Sequence, residues 1–208
     1  MRLDQLLDGI FASGTHVKVL RALCALPHGM PASGRDLARR AQVSHPRAAE
    51  VLAEFADLGV ALVNRLPRTD LYQLNGEHVL AQALIQLFAR EPRLKFELLT
   101  LVDRELKRRK LPVIEARLFG SVARGESTPS SDVDLALVCP RESMPTVESA
   151  AQELADMARR RFGTRLNVLV GSPSLTALTR KGRPGHAVWR AIEREGVALE
   201  SADAVLAP

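Results

Sequence analysis

The sequence predicts an α+β protein built in two parts, and three observations predict it. Apolar residues recur at helical spacing over residues 15–26, 34–40 and 44–58, and two alternating runs, 60–65 and 69–74, follow them as strands. Residues 76–110 read as helix throughout. From residue 111 onward strands and helices take turns. These changes predict a domain over 1–75, a helical connector over 76–110 and a second domain over 111–208.

The first helix, 15–26, has Thr15 as its expected cap. A Pro-His-Gly-Met-Pro stretch then breaks the chain. Ser33 is expected to cap a short helix over 34–40, and Gln42 and Val43 form a turn. Ser44 is expected to cap the next helix, with His45 and Pro46 in its first turn, where proline is tolerated. Gly59 stops it. The strands 60–65 and 69–74 are joined through Leu66, Pro67 and Arg68.

Pro92 divides the connector. Val79, Leu80, Ala83, Leu84, Leu87 and Phe88 form one apolar stripe, which reads as core or as a homodimer surface. Leu94, Leu98, Leu101, Val102 and Leu106 form a second. Arg104, Lys107, Arg108, Arg109 and Lys110 close that helix, where cations complement the dipole.

In the last part, 113–119 reads as a strand, 121–125 as a short helix and 126–131 as a loop. Residues 132–138 are a strand, 146–162 an amphipathic helix and 165–170 another strand. A helix over 187–195 is stopped by Gly196, with Trp189 as a core anchor.

The chemistry concentrates in Leu118-Phe-Gly-Ser-Val-Ala-Arg-Gly-Glu-Ser-Thr-Pro-Ser-Ser-Asp-Val-Asp-Leu-Ala-Leu-Val138. Residues two apart on a strand share a face, so Asp132 and Asp134 aim two carboxylates at one spot. Two like charges that close call for a neutralising cation. Oxygen ligands on a short element suit Mg²⁺ or Mn²⁺, which complete their shell with water and phosphate. Gly120 lets a ligand approach backbone, and Ser121 opens a helix whose N-terminus attracts phosphate. Nucleotidyl transfer needs that combination. The expected nucleotide is an NTP, with ATP first in line.

This stretch resembles the signature of the polymerase-β-like nucleotidyltransferases, Gly-Ser, a spacer, then Asp-x-Asp, and is closest to the minimal branch. Gly120, Ser121, Arg124, Gly125, Ser131, Asp132 and Asp134 stand where that pattern has them. The resemblance implies a small mixed sheet flanked by helices. It also implies a third carboxylate on the later strand, and the matching position here is Asn167. A neutral amide cannot serve as general base. Glu200 and Asp203 are the remaining acids that could substitute, with no spacing to favour either. The acceptors implied are a protein, such as a HEPN-type toxin paired with an antitoxin, or a small molecule such as an aminoglycoside.

Residues 35–52, with the hairpin over 59–74, resemble the winged helix-turn-helix of bacterial regulators. The fold expected is therefore an N-terminal winged helix-turn-helix followed by a small mixed-sheet nucleotidyltransferase domain. The second helix of such a turn enters the major groove of double-stranded DNA. Ser44, His45 and Arg47 would face the bases, with Glu50 a further candidate for that contact. Arg39 and Arg40 would touch phosphates, and Arg65 and Arg68 sit at the wing tip.

Composition bounds these readings. Of 208 residues, 46% are hydrophobic and 25% charged, which is ordinary for a globular protein, and scarce aromatics (4%) leave a core of Leu, Val and Ala. The net charge of +5 falls wholly in residues 1–110, which hold 17 Lys and Arg against 12 Asp and Glu. An anionic partner for that part is expected. Residues 1–75 hold 9 basic and 7 acidic residues, a modest excess. A charged start (Arg2, Asp4, Asp8) argues against a signal peptide, and no apolar run approaches the ~18 residues of a membrane span. Cys24 and Cys139 suit reduced thiols in a cytoplasmic protein. His16, His28, His78 and His186 show no ligand spacing. Arg159–Arg161 and the loop 181–185 read as solvated surface and turn. Three functional readings stay open: a DNA-binding transferase moving NMP to a protein or small-molecule acceptor, a nucleotide-sensing transcriptional regulator or antitoxin whose transferase domain is degenerate, and a toxin–antitoxin scaffold whose apolar segment 76–106 binds a partner.

Overall fold

A computed structural model describes residues 5–27, 29–126, 128, 131–173 and 186–199. His28, the loop 181–185, Glu200, Asp203 and the His186 side chain lie outside that description. The chain divides into two compact units, Met1–Pro92 and Arg93–Pro208.

The first unit begins with a short helix, α1 (Leu6–Ile10), too brief to show a period in the sequence. Helix α2 (Gly14–Cys24) is capped by Ser13, whose Oγ accepts from the His16 amide; the expected cap, Thr15, lies inside the helix. Ala32–Ser33 forms β1, which the sequence reading missed because two residues after a proline carry no alternation. Ser33 caps α3 (Gly34–Ala41) by accepting from the Asp36 amide and donating to its carboxylate. Gln42 leaves that helix in the left-handed region, φ 54°.

Helix α4 (His45–Asp57) starts after Ser44, whose side chain makes no capping bond, so Pro46 and packing set this end. Gly59 turns the chain at φ +73°, and β2 (Ala61–Leu66) and β3 (Thr69–Leu74) follow in register, Leu66 opposite Thr69. The sheet order is β1-β3-β2, all antiparallel. Leu20, Leu23, Leu37, Leu52 and Phe55 are wholly buried at its core. His16 is buried beside them, with Ser13 Oγ 2.8 Å from Nδ1, Glu54 Oε2 2.9 Å from Nε2 and the ring edge-on to Phe55.

The connector segment is shared out between the units. Helix α5 (Ala81–Arg90) buries Leu84 and Phe88 in the first core, while Val79 and Leu87 of the expected stripe are exposed. After a 3₁₀ turn at Glu91–Arg93, α6 (Leu94–Arg108) buries Leu98, Leu99, Leu101, Val102 and Leu106 in the second unit. The basic end of α6 is paired: Lys107 with Asp103, Arg108 with the buried Glu105 at 2.7 Å, and Arg109 with Glu153 at 2.6 Å.

The second unit has β4 (Glu115–Phe119), α7 (Gly120–Ala123), β5 (Val133–Val138), α8 (Met144–Phe162), β6 (Leu166–Gly171), α9 (His186–Glu195) and β7 (Val197–Ala198). The sheet is mixed, in the order β6-β5-β4-β7, with β5 and β6 parallel and the other pairs antiparallel. Val133, Leu135 and Leu137 join the core with the apolar faces of α6 and α8. Strand alternation therefore turns Asp134 to the other face. Trp189 lies against Gly171, where any Cβ would enter its ring. Among the described residues no helix is long and apolar enough to cross a membrane.

Candidate active site

The site begins at the end of β4. Phe119 pairs with Asp134 across the antiparallel ladder, and Gly120 turns away at φ +73°. A Cβ built on Gly120 would collide with Asp134 Oδ2 and come within 3.2 Å of Cγ. Glycine is required here twice, for the left-handed backbone and for the carboxylate seated on it. On its other side Asp134 pairs with Asn167 in the parallel ladder.

Asp132 stands one step before β5. The ladder still continues there, because the Val133 amide donates to Arg165 O at 2.9 Å. The Asn167 amide then ties the two carboxylates together. Its Nδ2 donates to Asp134 Oδ1 at 3.0 Å and, at the limit of a hydrogen bond, to Asp132 Oδ2 at 3.5 Å. The predicted convergence of the carboxylates is thus present in the geometry. Asp132 Oδ1 and Asp134 Oδ2 have no hydrogen-bond partner among the described residues.

No group of three or more His, Cys, Asp or Glu side chains able to hold a metal occurs among the described residues. Two carboxylates over a glycine cradle fit a hard cation that brings the rest of its shell with a phosphate, and do not make an all-protein cage.

The other expected site residues divide. Ser121 is half-buried, and its carbonyl accepts from the Glu126 amide at 2.9 Å. Helix α7 is only four residues long, so its dipole offers little to a phosphate. Arg124 is engaged elsewhere: its Nε donates to Glu126 at 2.8 Å and its Nη1 to Glu195 at 3.5 Å. The Glu126 hydrogen bond raises its pKa above the ordinary arginine value. Ser131 Oγ accepts from the Thr128 amide at 2.8 Å and closes the loop ahead of Asp132. One neighbour was missed. Arg165 is exposed, and its backbone is bonded to the residue between the two aspartates. The alternation Arg165, Asn167 was the signal that would have placed it on the carboxylate face.

In the first unit Ser44, His45 and Arg47 are exposed on the first turn of α4. Arg47 is paired with Glu50 at 3.0 Å and Arg39 with Asp36 at 2.6 Å. Both are exposed pairs, worth about 0–1 kcal/mol and easily exchanged. Arg40, Arg65 and Arg68 are exposed and make no ion pair among the described residues, though Arg65 stands opposite Asp70 in the hairpin. The two cysteines are free thiols. Burial pushes Cys24 up to about 12, and burial also raises Cys139.

A solved structure described as "Crystal structure of the toxin-antitoxin with AMP-PNP" is similar over 52% of this chain and 79% of that chain, at 15% identity and a TM-score of 0.34. A likeness at that score carries no functional argument. No curated protein matches the chain. Residues 100–172 match the family model described as "Nucleotidyltransferase domain", a span that contains Gly120, Ser121, Asp132, Asp134 and Asn167.

Proposed function

We propose that the chain is a DNA-binding nucleotidyltransferase that moves an NMP group from an NTP to an acceptor hydroxyl. The acceptor oxygen attacks the α-phosphorus and gives up its proton to solvent, the bond from that phosphorus to the α–β bridging oxygen breaks, and pyrophosphate leaves. The observation that carries this reading is the carboxylate pair gathered by Asn167, with Asp134 seated on Gly120. Asp132 and Asp134 would hold a Mg²⁺ ion, whose charge stabilises the departing pyrophosphate. Gly120 admits the phosphates to backbone contact, Ser121 offers its hydroxyl beside them, and Arg165 adds a cation on the same face. Arg124 and Ser131 would have to leave their present partners to contribute. The acceptor is a protein, such as a HEPN-type toxin, or a small molecule, as the resemblance implies. The test is transfer of label from α-labelled ATP in lysate and to purified acceptors. Unchanged transfer by the Asp132→Asn/Asp134→Asn variant would sink the assignment.

The first unit is proposed to be a winged helix-turn-helix. The order helix, strand, helix, helix, hairpin, with the first turn of α4 exposed, supports this reading. Ser44, His45 and Arg47 would read base edges, and Arg40, Arg65 and Arg68 would hold phosphates. Selection of duplexes from a random pool, repeated at two salt concentrations, tests it; recovery of no enriched sequence and no salt-dependent binding would count against it.

A second reading is favoured by one observation, the neutral Asn167 between the carboxylates. There the domain binds nucleotide and releases no pyrophosphate, and the first unit's affinity for DNA responds. Steady pyrophosphate release in the presence of acceptor decides against it.

A further inference from the structure

Resting on the nucleotidyltransferase reading, we infer that this site takes a single divalent cation, carried in with the nucleotide, and that the Asn167 amide fills the place of a second one. The two carboxylates present four oxygens. Asn167 Nδ2 engages one from each, Asp134 Oδ1 at 3.0 Å and Asp132 Oδ2 at 3.5 Å. A carboxylate only accepts, so the group between these oxygens must be a donor or a cation. Here it is the –NH₂ end of an amide, anchored by the β5–β6 register that sets Asn167 opposite Asp134.

The remaining oxygens are the ones left for metal. Asp134 Oδ2 lies against Gly120, where the chain has no side chain to displace it, and has no hydrogen-bond partner among the described residues. Asp132 Oδ1 is unpartnered among the described residues. A cation held by those two oxygens would be the one that arrives with the nucleotide phosphates. Two-metal transfer needs a second cation about 3.5–4 Å away on the attacking-oxygen side. The amide's donor hydrogens face Asp134 Oδ1 and Asp132 Oδ2, where a second cation would need ligand oxygens, and no third acid joins the pair among the described residues. The consequence for the reaction is specific. Asp132 and Asp134 help the leaving group, and nothing in the described site withdraws the acceptor's proton.

The experiment is equilibrium dialysis of the full chain against labelled Mn²⁺ in excess and a labelled non-hydrolysable ATP analogue, counting both in the protein compartment. Wild type is expected to retain one Mn²⁺ per nucleotide. Asn167→Asp, which replaces the donor with a third carboxylate of the same shape, is expected to retain two, the second at free Mn²⁺ at least tenfold below any level at which wild type takes it. Asp132→Asn/Asp134→Asn should retain neither ion nor nucleotide above background. Two Mn²⁺ per nucleotide in wild type, or one in Asn167→Asp, overturns the inference and leaves the transferase reading standing. Retention of neither ligand by wild type overturns both. Matching circular dichroism spectra for the Asn167 variant exclude misfolding as the cause of a low count.

Discussion

Replacing Gly120 and Gly125 by alanine, one at a time, separates backbone strain from crowding of the carboxylate. The two glycines share one backbone conformation, φ +73° and +71°. Around Gly125 a new Cβ meets nothing within 4 Å; at Gly120 it meets the Asp134 carboxylate. Alanine in the left-handed region costs about 1–2 kcal/mol, and the gain from a stiffer unfolded chain, about 0.4–1 kcal/mol, applies to both variants and cancels in the difference. The Asp134 side chain must also move in Gly120→Ala and give up its 3.0 Å bond from Asn167. A hydrogen bond to a charged group contributes about 1.5–3 kcal/mol; this carboxylate is half-exposed, so about 1–2 kcal/mol is the fair expectation. Gly125→Ala should therefore lose about 1 kcal/mol and Gly120→Ala about 2–3. The single tryptophan, Trp189, packs on Gly171, so its fluorescence in a urea titration reports the second unit alone. Nucleotide retention supplies the functional arm, kept in Gly125→Ala and lost in Gly120→Ala. Equal stability losses, or full nucleotide binding by Gly120→Ala, would refute the claim that Asp134 needs the space over a glycine.

Three further outcomes are expected. Glu105 is held below the usual carboxylate range, first by its hydrogen bond from Arg108, so its stabilisation is complete above the unfolded pKa near 4.5 and is lost as pH falls through the lower folded value; tryptophan-monitored urea midpoints between pH 7 and pH 3 should fall less steeply in Glu105→Gln, and parallel curves would count against the pairing. With its pKa pushed up to about 12, Cys24 is almost wholly neutral at pH 8, so its reaction with a thiol reagent should run on the order of a hundredfold slower than that of a free thiol, and its contribution to stability should fade only above about pH 9; prompt labelling of native protein would contradict this. Arg68→Ala should weaken DNA binding across sequences and lower the slope of log affinity against log salt by about one, with Arg39→Ala doing less because Asp36 already engages that guanidinium; equal slopes for both variants would remove Arg68 from the phosphate contacts.

What the sequence made legible follows from the range of each signal. Long helices announced themselves by period, and α4, α6 and α8 fall within a few residues of their expected bounds. The strands β5 and β6 were legible because hydrophobic runs bounded by polar residues have few other uses. Short elements were not. β1 and β7 are two residues each and exist because β3 and β4 offer edges to pair with, which is tertiary information. The expected cap of α2 falls two residues late: Thr15 is a good capping residue, but Ser13 accepts from the amide of His16, whose ring packs against Glu54 and Phe55. The site was legible as a pair of aspartates near a glycine. What could not be read was that Asp134 presses on Gly120, since that contact arises from the β4–β5 register. Arg124 shows the opposite limit. Its motif position says nothing of Glu195, which is 71 residues away and arrives with α9.

The neutral amide bears on which acceptor such a site can serve. General-base assistance contributes about 10²–10⁴-fold to a transfer, and Asn167 cannot provide it. On the proposed reading Asp132 and Asp134 keep the electrostatics of the leaving-group side, and in phosphoryl transfer that term together with positioning supplies most of the acceleration. Positioning is worth effective molarities of about 10⁵–10⁸ M when the acceptor is held in line, so it exceeds the missing base only for an acceptor that binds firmly and in one pose. A macromolecule docked over a broad surface meets that condition. A small molecule meeting only the few side chains around Asp132 and Asp134 does not, unless another group supplies the contacts. On this reasoning Asn167→Asp should speed transfer to a small hydroxyl compound far more than to a bound protein acceptor, by on the order of 10²-fold against a few-fold. Both rates are read by release of pyrophosphate from ATP, and equal gains would show that positioning does not compensate for the lost base.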